Sequence, residues 1–349
     1  MKIATIVGAR PQFIKAAVLS RLFKTDDRFQ EIIIHTGQHY DQNMSDVFFS
    51  ELQISEPKYN LEVGSGLHGE QTGKMLHRLE EVFLNEKPDM VVVYGDTNST
   101  VAGALAASKL HIPIAHVEAG LRSFNKKMPE EINRIATDHI SDLLFAPTQN
   151  AMNLLAAEGL SKNSFLSGDI MYDSVLFYKD LALEKFKGQT LPFETYYLAT
   201  LHRQENTDDP HRLQQIFNAF SNLDLPVLLP LHPRTKKMLE PIKYSNNIKI
   251  IEPVGYLELL HLLSHSIKVL TDSGGLQKEA FFLSKPCLTL RDETEWIETL
   301  ENGWNSIVGA SENEILSKIS HPISAIKTNP FGDGHAGNKI IELIIQRNK

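Results

Sequence analysis

The sequence predicts an α/β protein with two parallel sheets, each covered by helices. Short runs rich in Val, Ile and Leu alternate with amphipathic segments along almost the whole chain, which is typical of this class. The alternation forms two successive series, and 349 residues exceed what one ordinary hydrophobic core supports. We therefore predict two α/β domains, residues 1–169 and 170–335, followed by a last helix.

The individual elements follow from the apolar runs. In the first series, strands are predicted at about Lys2–Val7, Glu31–His35, Met90–Tyr94, Ile112–Val117, Leu143–Ala146 and Phe165–Leu166. Helices between them are predicted to include Gln12–Phe23, Gly69–Asn85, Ser99–Leu110 and Glu130–Ser141. In the second series, strands are predicted at Tyr197–Thr200, Val227–Leu229, Ile248–Ile251, Lys268–Thr271, Cys287–Leu290 and Ser306–Val308. The seam is expected near residues 168–187, where a helical segment gives way to a polar stretch.

Composition narrows the class of protein further. An apolar share of 42% with 22% charged residues is that of a soluble globular protein. The net charge of −8 argues against general binding to nucleic acid or to an acidic membrane surface. The single cysteine, Cys287, excludes a disulfide framework and a cysteine-based metal site, and the apolar start is too short for a signal peptide. We predict a cytoplasmic protein without a membrane or nucleic-acid partner.

The stretch Thr271–Glu279 joins a predicted strand to a predicted helix. Unpaired N–H groups at the start of such a helix favour an anion, most naturally a phosphate. Gly274 and Gly275 let a phosphate approach the backbone, and Ser273 adds a hydroxyl. Because Ser-Gly-Gly also closes ordinary turns between strand and helix, this motif alone leaves both interpretations open. Glu279, in the second helical turn, can reach ribose hydroxyls and favours a nucleotide diphosphate.

Charged side chains follow several predicted strands, where parallel sheets bind ligands. In the first half, the carboxylates Asp96 and Glu118 follow predicted strands, and Glu130 opens a predicted helix. Each has a plainer interpretation by itself, since Asp96 could cap a helix and Glu130 could complement a helix dipole. Taken together, the three predict a functional cluster. In the second half, His202 and His232 add groups that titrate near neutral pH.

Several common sites are excluded or disfavoured. Gly8-Ala9-Arg10-Pro11 lacks the glycine pattern of dinucleotide binding, and the chain has no P-loop and no Gly-x-Ser-x-Gly elbow. Arg10 and Lys15 could both meet a phosphate, although Lys15 could equally be a solvated charge on a helix surface. His35 and His39 are four residues apart but follow a strand, so we predict no metal site there.

Five motifs give the chain a family resemblance. It resembles the non-hydrolysing UDP-N-acetylglucosamine 2-epimerases, and the resemblance runs almost from end to end. The most specific motifs are Tyr94-Gly95-Asp96-Thr97, His116-Val117-Glu118-Ala119-Gly120-Leu121-Arg122, Pro129-Glu130-Glu131-Ile132-Asn133-Arg134, His202-Arg203-Gln204-Glu205-Asn206 and Thr271-Asp272-Ser273-Gly274-Gly275.

This resemblance implies the GT-B fold, in which two Rossmann-like domains face each other across a cleft and the last helix, 336–349, packs back on the first. It implies reversible conversion of UDP-N-acetylglucosamine to UDP-N-acetylmannosamine through UDP and a 2-acetamidoglucal, with no cofactor and no metal. The catalytic residues it implies are Asp96, Glu118, Glu130 and His202. The residues predicted to bind substrate or UDP are Arg10, Lys15, Gln38, His39, Arg134, His232, Ser273, Gly274, Gly275 and Glu279. Members of the resembled family dimerise, so we also predict a homodimer.

The residue types suit this chemistry. A sugar C2–H has no adjacent carbonyl to acidify it, so the C1–O bond to UDP must break first or in concert. The reaction then needs cations and N–H groups at the departing phosphate, carboxylates beside the developing cation, and a base near C2. Any of the three carboxylates could serve as the base near C2.

One departure from the family bears on the substrate. Thr294-Glu295-Trp296-Ile297-Glu298 replaces the familiar Thr-Glu-Arg-Pro-Glu, and Ala9-Arg10-Pro11-Gln12-Phe13 replaces Thr-Arg-Pro-Glu-Ala. Both changes resemble the branch that acts on UDP-2,3-diacetamido-2,3-dideoxyglucuronate, which is the alternative substrate. A glycosyltransferase of the same fold is the alternative of another class, although it would not need three acids around C2. A hydrolysing relative and a non-catalytic nucleotide-sugar sensor are further alternatives.

Overall fold

The structure is a computed structural model, and it describes residues 1–38, 49, 51–231, 233–324 and 327–347. The chain divides into two compact units, each with its own sheet. Unit 1 comprises Met1–Leu176 and Asn329–Lys349, and unit 2 comprises Phe177–Thr328. The boundary between them falls inside one helix, Ile170–Lys185.

Unit 1 is built on seven parallel strands. They are β1 (Lys2–Val7), β2 (Gln30–His35), β3 (Tyr59–Asn60), β4 (Met90–Tyr94), β5 (Ile114–Val117), β6 (Leu143–Ala146) and β7 (Ser164–Leu166). Their order across the sheet is β3-β2-β1-β4-β5-β6-β7. The helices are α1 (Arg10–Lys24), α2 (His68–Glu86), α3 (Asn98–Lys109), α4 (Pro129–Ile140), α5 (Gln149–Ala157) and the first part of α6 (Ile170–Lys185), with a short 3-10 helix at Ser161–Asn163.

The central strands of unit 1 are buried on both faces. All five residues of β4 are buried, which a parallel sheet covered by helices requires. Helix α3 approaches this sheet closely at Gly103, where a Cβ atom would lie 3.1 Å from Ile6 and 3.2 Å from Val93. The beginning of α3 is therefore held directly beside the carboxyl ends of the central strands.

A glutamine side chain joins two of these strand ends. Gln12 Oε1 accepts hydrogen bonds from the backbone N–H groups of Gly8 (2.9 Å) and Ala9 (3.1 Å), just after β1. Its Nε2 donates to the carbonyl of Tyr94 (2.9 Å), the last residue of β4. Gln12 thus joins the carboxyl ends of β1 and β4, at the edge of the sheet where the predicted carboxylates lie.

Unit 2 is built on six parallel strands. They are β8 (Tyr197–Thr200), β9 (Val227–Pro230), β10 (Ile248–Ile251), β11 (Lys268–Thr271), β12 (Cys287–Thr289) and β13 (Asn305–Ile307), in the order β10-β9-β8-β11-β12-β13. The helices are α7 (Gln204–Thr207), α8 (Pro210–Ser221), α9 (Pro233–Met238), α10 (Tyr256–His265), α11 (Gly274–Phe282) and α12 (Glu312–Ile319), with a 3-10 segment at Ile297–Gly303. Buried aliphatic and aromatic side chains of β8, β9 and α8 form a large part of its core.

The last described helix, α13 (Ala336–Arg347), belongs to unit 1. Asp173 accepts hydrogen bonds from the N–H groups of Ala336 (3.1 Å) and Gly337 (2.8 Å), so a carboxylate caps the positive end of the helix. Gly337 lets α13 approach α1, because a Cβ atom at this position would lie 2.7 Å from Val18. Among the residues that the structure describes, no helix is both long and apolar enough to span a membrane.

The predicted fold class is confirmed, since the protein is a GT-B-like α/β protein with two Rossmann-like units and parallel sheets. The strand predicted from Ile112 begins at Ile114 instead. Ile112 donates its N–H to the Ala107 carbonyl at the end of α3, and Pro113 has no N–H to give to the sheet. The two-residue strand β3 was not predicted, because a pair as short as Tyr-Asn carries no apolar run.

Candidate active site

The first group of site residues surrounds the turn after β4. Gly95 adopts a left-handed backbone with φ of +62°, which turns the chain sharply before Asp96. A Cβ atom at Gly95 would lie 3.3 Å from Lys15 Nζ and 3.4 Å from Glu118 Oε1. A lysine from α1 and a glutamate that follows β5 therefore meet directly against the turn that carries Asp96.

Lys15 and Glu118 form a buried ion pair. Lys15 Nζ donates to Glu118 Oε1, and each side chain is only 7% exposed. The alternative interpretation of Lys15 as a solvated surface charge is therefore wrong. Glu118 has φ of +73°, a strained conformation for a residue with a side chain, and such strain concentrates at functional sites.

Arg134 connects Asp96 to a second carboxylate. Its Nη2 lies 2.6 Å from Asp96 Oδ2, and its Nη1 lies 3.0 Å from Glu131 Oε2. Glu131 also accepts the backbone N–H groups of Ser123 (2.8 Å) and Phe124 (2.9 Å). Burial raises the pKa of Glu131, but these N–H groups and Arg134 outweigh burial and hold the pKa below its ordinary value. An ionised Glu131 therefore anchors the loop before α4 and orients Arg134.

Burial and the charges of this cluster also shift the pKa of Asp96. Burial raises its pKa, and the positive charges of Arg134 and Lys15 oppose that effect. The neighbouring charge of Glu118 raises the pKa again, and the net result lies above the ordinary value for aspartate. A carboxyl group of raised pKa is suited to exchange protons with a substrate.

Glu130 lies in the first turn of α4 and is half-buried. It forms no hydrogen bond or ion pair with the part of the chain that the structure describes. Because it precedes Arg134 by four residues, both side chains are on the same face of α4. The Glu131 carboxylate is already engaged by the loop at Ser123 and by Arg134. Glu130 is therefore the carboxylate of the first turn that is left available for chemistry.

In unit 2 a buried aspartate organises the loop that carries His202. Asp272 follows β11, is fully buried, and accepts the backbone N–H groups of His202 (3.1 Å) and Arg203 (3.0 Å). The ring Nδ1 of His202 lies 3.3 Å from Asp272 Oδ1, while 54% of the histidine side chain is exposed. Asp272 thus fixes the backbone of this loop, and the histidine ring stays accessible to a ligand.

The start of α11 has the geometry expected for an anion-binding helix end. Ser273 is the N-cap residue, and its Oγ accepts the N–H of Leu276 (3.3 Å). Its own N–H donates to Thr271 Oγ1 (3.0 Å). Gly275, the second helical residue, is half-buried, whereas Gly274 is buried. The open side of the helix start is therefore at Ser273 and Gly275.

The need for glycine at position 274 has a cause that the sequence did not show. A Cβ atom there would lie 2.6 Å from Glu295 Oε1 and 3.4 Å from Trp296 Nε1. Arg291 holds Glu295 by an ion pair of 2.9 Å, and Lys278 Nζ lies 3.7 Å above the Trp296 ring. The segment that departs from the resembled family thus packs directly on the start of α11.

The remaining predicted site residues lie at several places. Arg10 begins α1, and Gln38 Oε1 accepts hydrogen bonds from the N–H (3.0 Å) and the Oγ (2.6 Å) of Ser99 at the start of α3. Glu279 lies in α11 and is buried. His39 and His232 lie outside the described residues.

Several residues around the site were not among those predicted. Glu131 orients Arg134 and Asp272 holds the loop at His202. Each stands next to a predicted residue in its motif, Glu130 and Ser273 respectively, which is the signal that could have identified it. Asp96 does not cap α3, because Thr97 is the N-cap residue and accepts the N–H of Thr100. Within the described ranges, no three His, Cys, Asp or Glu side chains cluster in a way that could hold a metal ion. The absence of a metal requirement stays a prediction.

Comparison with known proteins identifies the family. A family model described as UDP-N-acetylglucosamine 2-epimerase matches residues 21–345. A UDP-N-acetylglucosamine 2-epimerase homolog of Methanococcus maripaludis is 54% identical over 356 residues and covers 99% of both chains. The UDP-2,3-diacetamido-2,3-dideoxy-D-glucuronate 2-epimerase of Pseudomonas aeruginosa is 50% identical over 353 residues, again 99% of both chains.

A solved structure agrees with these sequences. One such structure is the crystal structure of the Methanocaldococcus jannaschii UDP-GlcNAc 2-epimerase in complex with UDP-GlcNAc and UDP, whose sequence is 46% identical to this chain. It matches with a TM-score of 0.91 and covers 99% of this chain and 100% of that one. The resemblance read from the motifs is thereby confirmed along the whole length. This chain belongs to the UDP-N-acetylglucosamine 2-epimerase family and is an isomerase of the non-hydrolysing kind.

Proposed function

We propose that this chain interconverts UDP-N-acetylglucosamine and UDP-N-acetylmannosamine by reversible epimerisation at C2. The observation that carries the proposal is the cluster at the strand ends of unit 1, where two carboxylates are each paired with a cation around one turn. The crystallised M. jannaschii epimerase, bound to UDP-GlcNAc and UDP, supports the substrate class.

The reaction proceeds by elimination and re-addition. The C1–O bond to UDP breaks with its electron pair leaving on the phosphate, and a base removes the proton from C2, so a 2-acetamidoglucal and UDP result. UDP then adds back to C1 while a proton reaches the opposite face of C2. The carboxylates of Asp96, Glu118 and Glu130 stabilise the cationic character at C1 and move the C2 proton.

The cations and hydrogen-bond donors act on the other part of the substrate. In unit 2, Ser273 and Gly275 offer the open side of the α11 start to the diphosphate, and Gly274 completes that turn. Glu279 contacts the ribose, and His202, oriented by Asp272, protonates the departing oxygen. The remaining substrate contacts are assigned to Arg10, Lys15, Gln38, His39, Arg134 and His232.

A second substrate is favoured by a specific observation. The P. aeruginosa enzyme, named for UDP-2,3-diacetamido-2,3-dideoxy-D-glucuronate, is 50% identical to this chain. Trp296, which stands where the familiar family motif has arginine, packs against the start of α11 and under Lys278. Because this segment contacts the helix end assigned to the diphosphate, its departure from the familiar family motif supports the diacetamido uronate as the substrate of the same 2-epimerisation.

One experiment separates these functions. The enzyme is incubated with UDP-GlcNAc in deuterated water, and C2 of the sugar is followed by NMR; the diacetamido uronate is then tested in the same way. We expect deuterium at C2 of a sugar that remains attached to UDP, with the faster of the two substrates identifying the branch. Sugar transferred to an acceptor would indicate a glycosyltransferase, and free unlabelled sugar would indicate a hydrolase. Either result overturns the proposal.

We further propose a cytoplasmic homodimer that supplies an activated sugar for cell-surface polysaccharide biosynthesis. A product still attached to UDP is the kind of donor that a glycosyltransferase consumes. The buried free thiol of Cys287 suits a reducing compartment, and the net charge of −8 agrees with a small-molecule partner rather than nucleic acid. Sedimentation equilibrium tests the dimer, which a monomer at micromolar concentration would contradict.

A further inference from the structure

A buried histidine lies beneath the turn that carries Asp96. His116, in β5, is fully buried, and both of its ring nitrogens are within hydrogen-bond distance of an oxygen. Nε2 lies 2.7 Å from the carbonyl oxygen of Gly95, and Nδ1 lies 2.7 Å from Asp138 Oδ1 in α4. One side chain therefore links a strand-end turn to the neighbouring helix.

The partners of His116 define its protonation. A backbone carbonyl only accepts hydrogen bonds, so Nε2 must carry a proton to bond with Gly95. Burial raises the pKa of Asp138, but hydrogen bonds and charge from His116 and Arg122 outweigh burial and hold the pKa below the ordinary value. Asp138 also accepts N–H groups of Gly120 and Arg122, which favour its ionised form, and an ionised carboxylate only accepts, so Nδ1 carries a proton as well. The ring is an imidazolium paired with a buried carboxylate.

The second carboxylate oxygen of Asp138 binds the turn that follows β5. Asp138 Oδ2 accepts the N–H of Gly120 at 3.1 Å and an N–H of Arg122 at 2.7 Å. Gly120 has φ of +83° and follows Glu118 by two residues. Arg122 is held from outside by Glu158 through two contacts of 2.7 Å. Asp138 thus binds the β5 turn directly and the β4 turn through His116.

Each candidate catalytic carboxylate lies on a turn or helix that the His116–Asp138 pair holds. Asp96 directly follows Gly95, Glu118 precedes Gly120 by two residues, and Glu130 lies on the same helix as Asp138. We infer that the buried His116–Asp138 pair is a positioning device that sets the mutual placement of Asp96, Glu118 and Glu130. This inference rests on the proposed epimerisation, because it concerns the geometry of that reaction. A misplacement of about 1 Å can lower turnover by about 100-fold.

Two matched substitutions test the two contacts of His116, to Asp138 and to Gly95, separately. Asparagine at position 116 places its amide nitrogen near the Nδ1 position, so it keeps a donor toward Asp138 and loses the Gly95 bond. Glutamine reaches the Nε2 position, so it keeps the Gly95 bond. We expect both His116→Asn and His116→Gln to lower kcat by about 100-fold with KM within about threefold of the native value, because each breaks one half of the link between Gly95 and Asp138. Both variants lose the same charge, and we expect similar losses of Tm.

The outcomes that count against the inference are distinct from loss of folding. A native kcat in either variant, or a loss confined to Tm, would overturn the positioning role. Glu158→Gln is the control, because it weakens the partly exposed outer end of the network and should lower Tm slightly without changing kcat.

A measurement on the native enzyme needs no variant to fold. Nitrogen-15 NMR of the histidine side chains should show one imidazolium with two slowly exchanging N–H protons, and its signal should be absent from His116→Gln. An unprotonated Nε2 at His116 would overturn the inference. If native enzyme showed no C2 exchange with either UDP-sugar, the proposed function would fail while this NMR result still stood.

Discussion

At the scale of single residues, the ion pair between Lys15 and Glu118 shows how the site holds its charges. Both side chains are removed from water, so neither charge is stable there without the other. The pair also lies against Gly95, which places a cation and an anion next to the Asp96 turn. The charges of the site are therefore arranged before any substrate binds.

Removal of one partner should be costly. Lys15→Met keeps most of the side-chain volume but leaves Glu118 buried and unpaired with its lysine, so we expect the free energy of unfolding of unit 1 to fall by about 3–5 kcal/mol. The double variant Lys15→Met with Glu118→Gln removes both charges and should be more stable than Lys15→Met alone. Urea denaturation followed by circular dichroism measures both effects. A loss below about 1 kcal/mol in Lys15→Met, or additive losses in the double variant, would show that the pair is not coupled.

The residue scale also shows where sequence reasoning reached its limit. Asp96 and Arg134 could be singled out as strand-end and helix residues, and the structure brings them to 2.6 Å. The sequence does not distinguish the neighbouring glutamates Glu130 and Glu131. Their positions around α4 decide that Glu131 bonds with the loop at Ser123 and that Glu130 stays available. The contact of Gly274 with Glu295 joins distant positions, so no local pattern could reveal it.

At the scale of elements, the beginning of α11 combines a structural cap with the proposed binding of the diphosphate. The Ser273 hydroxyl accepts from Leu276, and its own proton remains available for a phosphate oxygen. A second helix in the same unit offers a matched comparison. Ser311 caps α12 in the same way, with its Oγ accepting the N–H of Glu314 at 3.4 Å.

The two serines should respond differently to the same substitution. Ser273→Ala and Ser311→Ala each remove an N-cap, so we expect each to lower the free energy of unfolding by about 1 kcal/mol. Only Ser273→Ala should also weaken UDP binding, by about tenfold, because a hydrogen bond to a charged phosphate is lost. Isothermal titration calorimetry with UDP measures the difference. Equal UDP affinities in the two variants would remove Ser273 from the binding site.

Strand elements were the most predictable part of the fold. Parallel strands buried on both faces are typically continuous apolar runs, so the bounds of β4 could be read directly from the sequence. Strand β3 has no such run and depends on pairing with β2. The start of β5 depends on Pro113 and on the hydrogen bond that Ile112 makes at the end of α3. Neither feature is part of the apolar run from which the strand was predicted.

At the scale of the whole molecule, the two units carry different kinds of chemistry. The described strand ends of unit 1 present carboxylates paired with buried cations, whereas unit 2 presents a helix start and a histidine oriented by a buried aspartate. This division matches a reaction in which a diphosphate is held while a proton is exchanged at a sugar carbon. Proton transfer and UDP affinity should therefore be separable by mutation.

The most direct test of this account measures both properties in three variants of unit 1. In Asp96→Asn, Glu118→Gln and Glu130→Gln, the exchange of the C2 proton with deuterated water is compared with the affinity for UDP. We predict that exchange falls by at least about 100-fold in each variant, the usual contribution of a positioned acid or base, while the Kd for UDP stays within about twofold. Native rates of C2 exchange in all three variants would contradict the account.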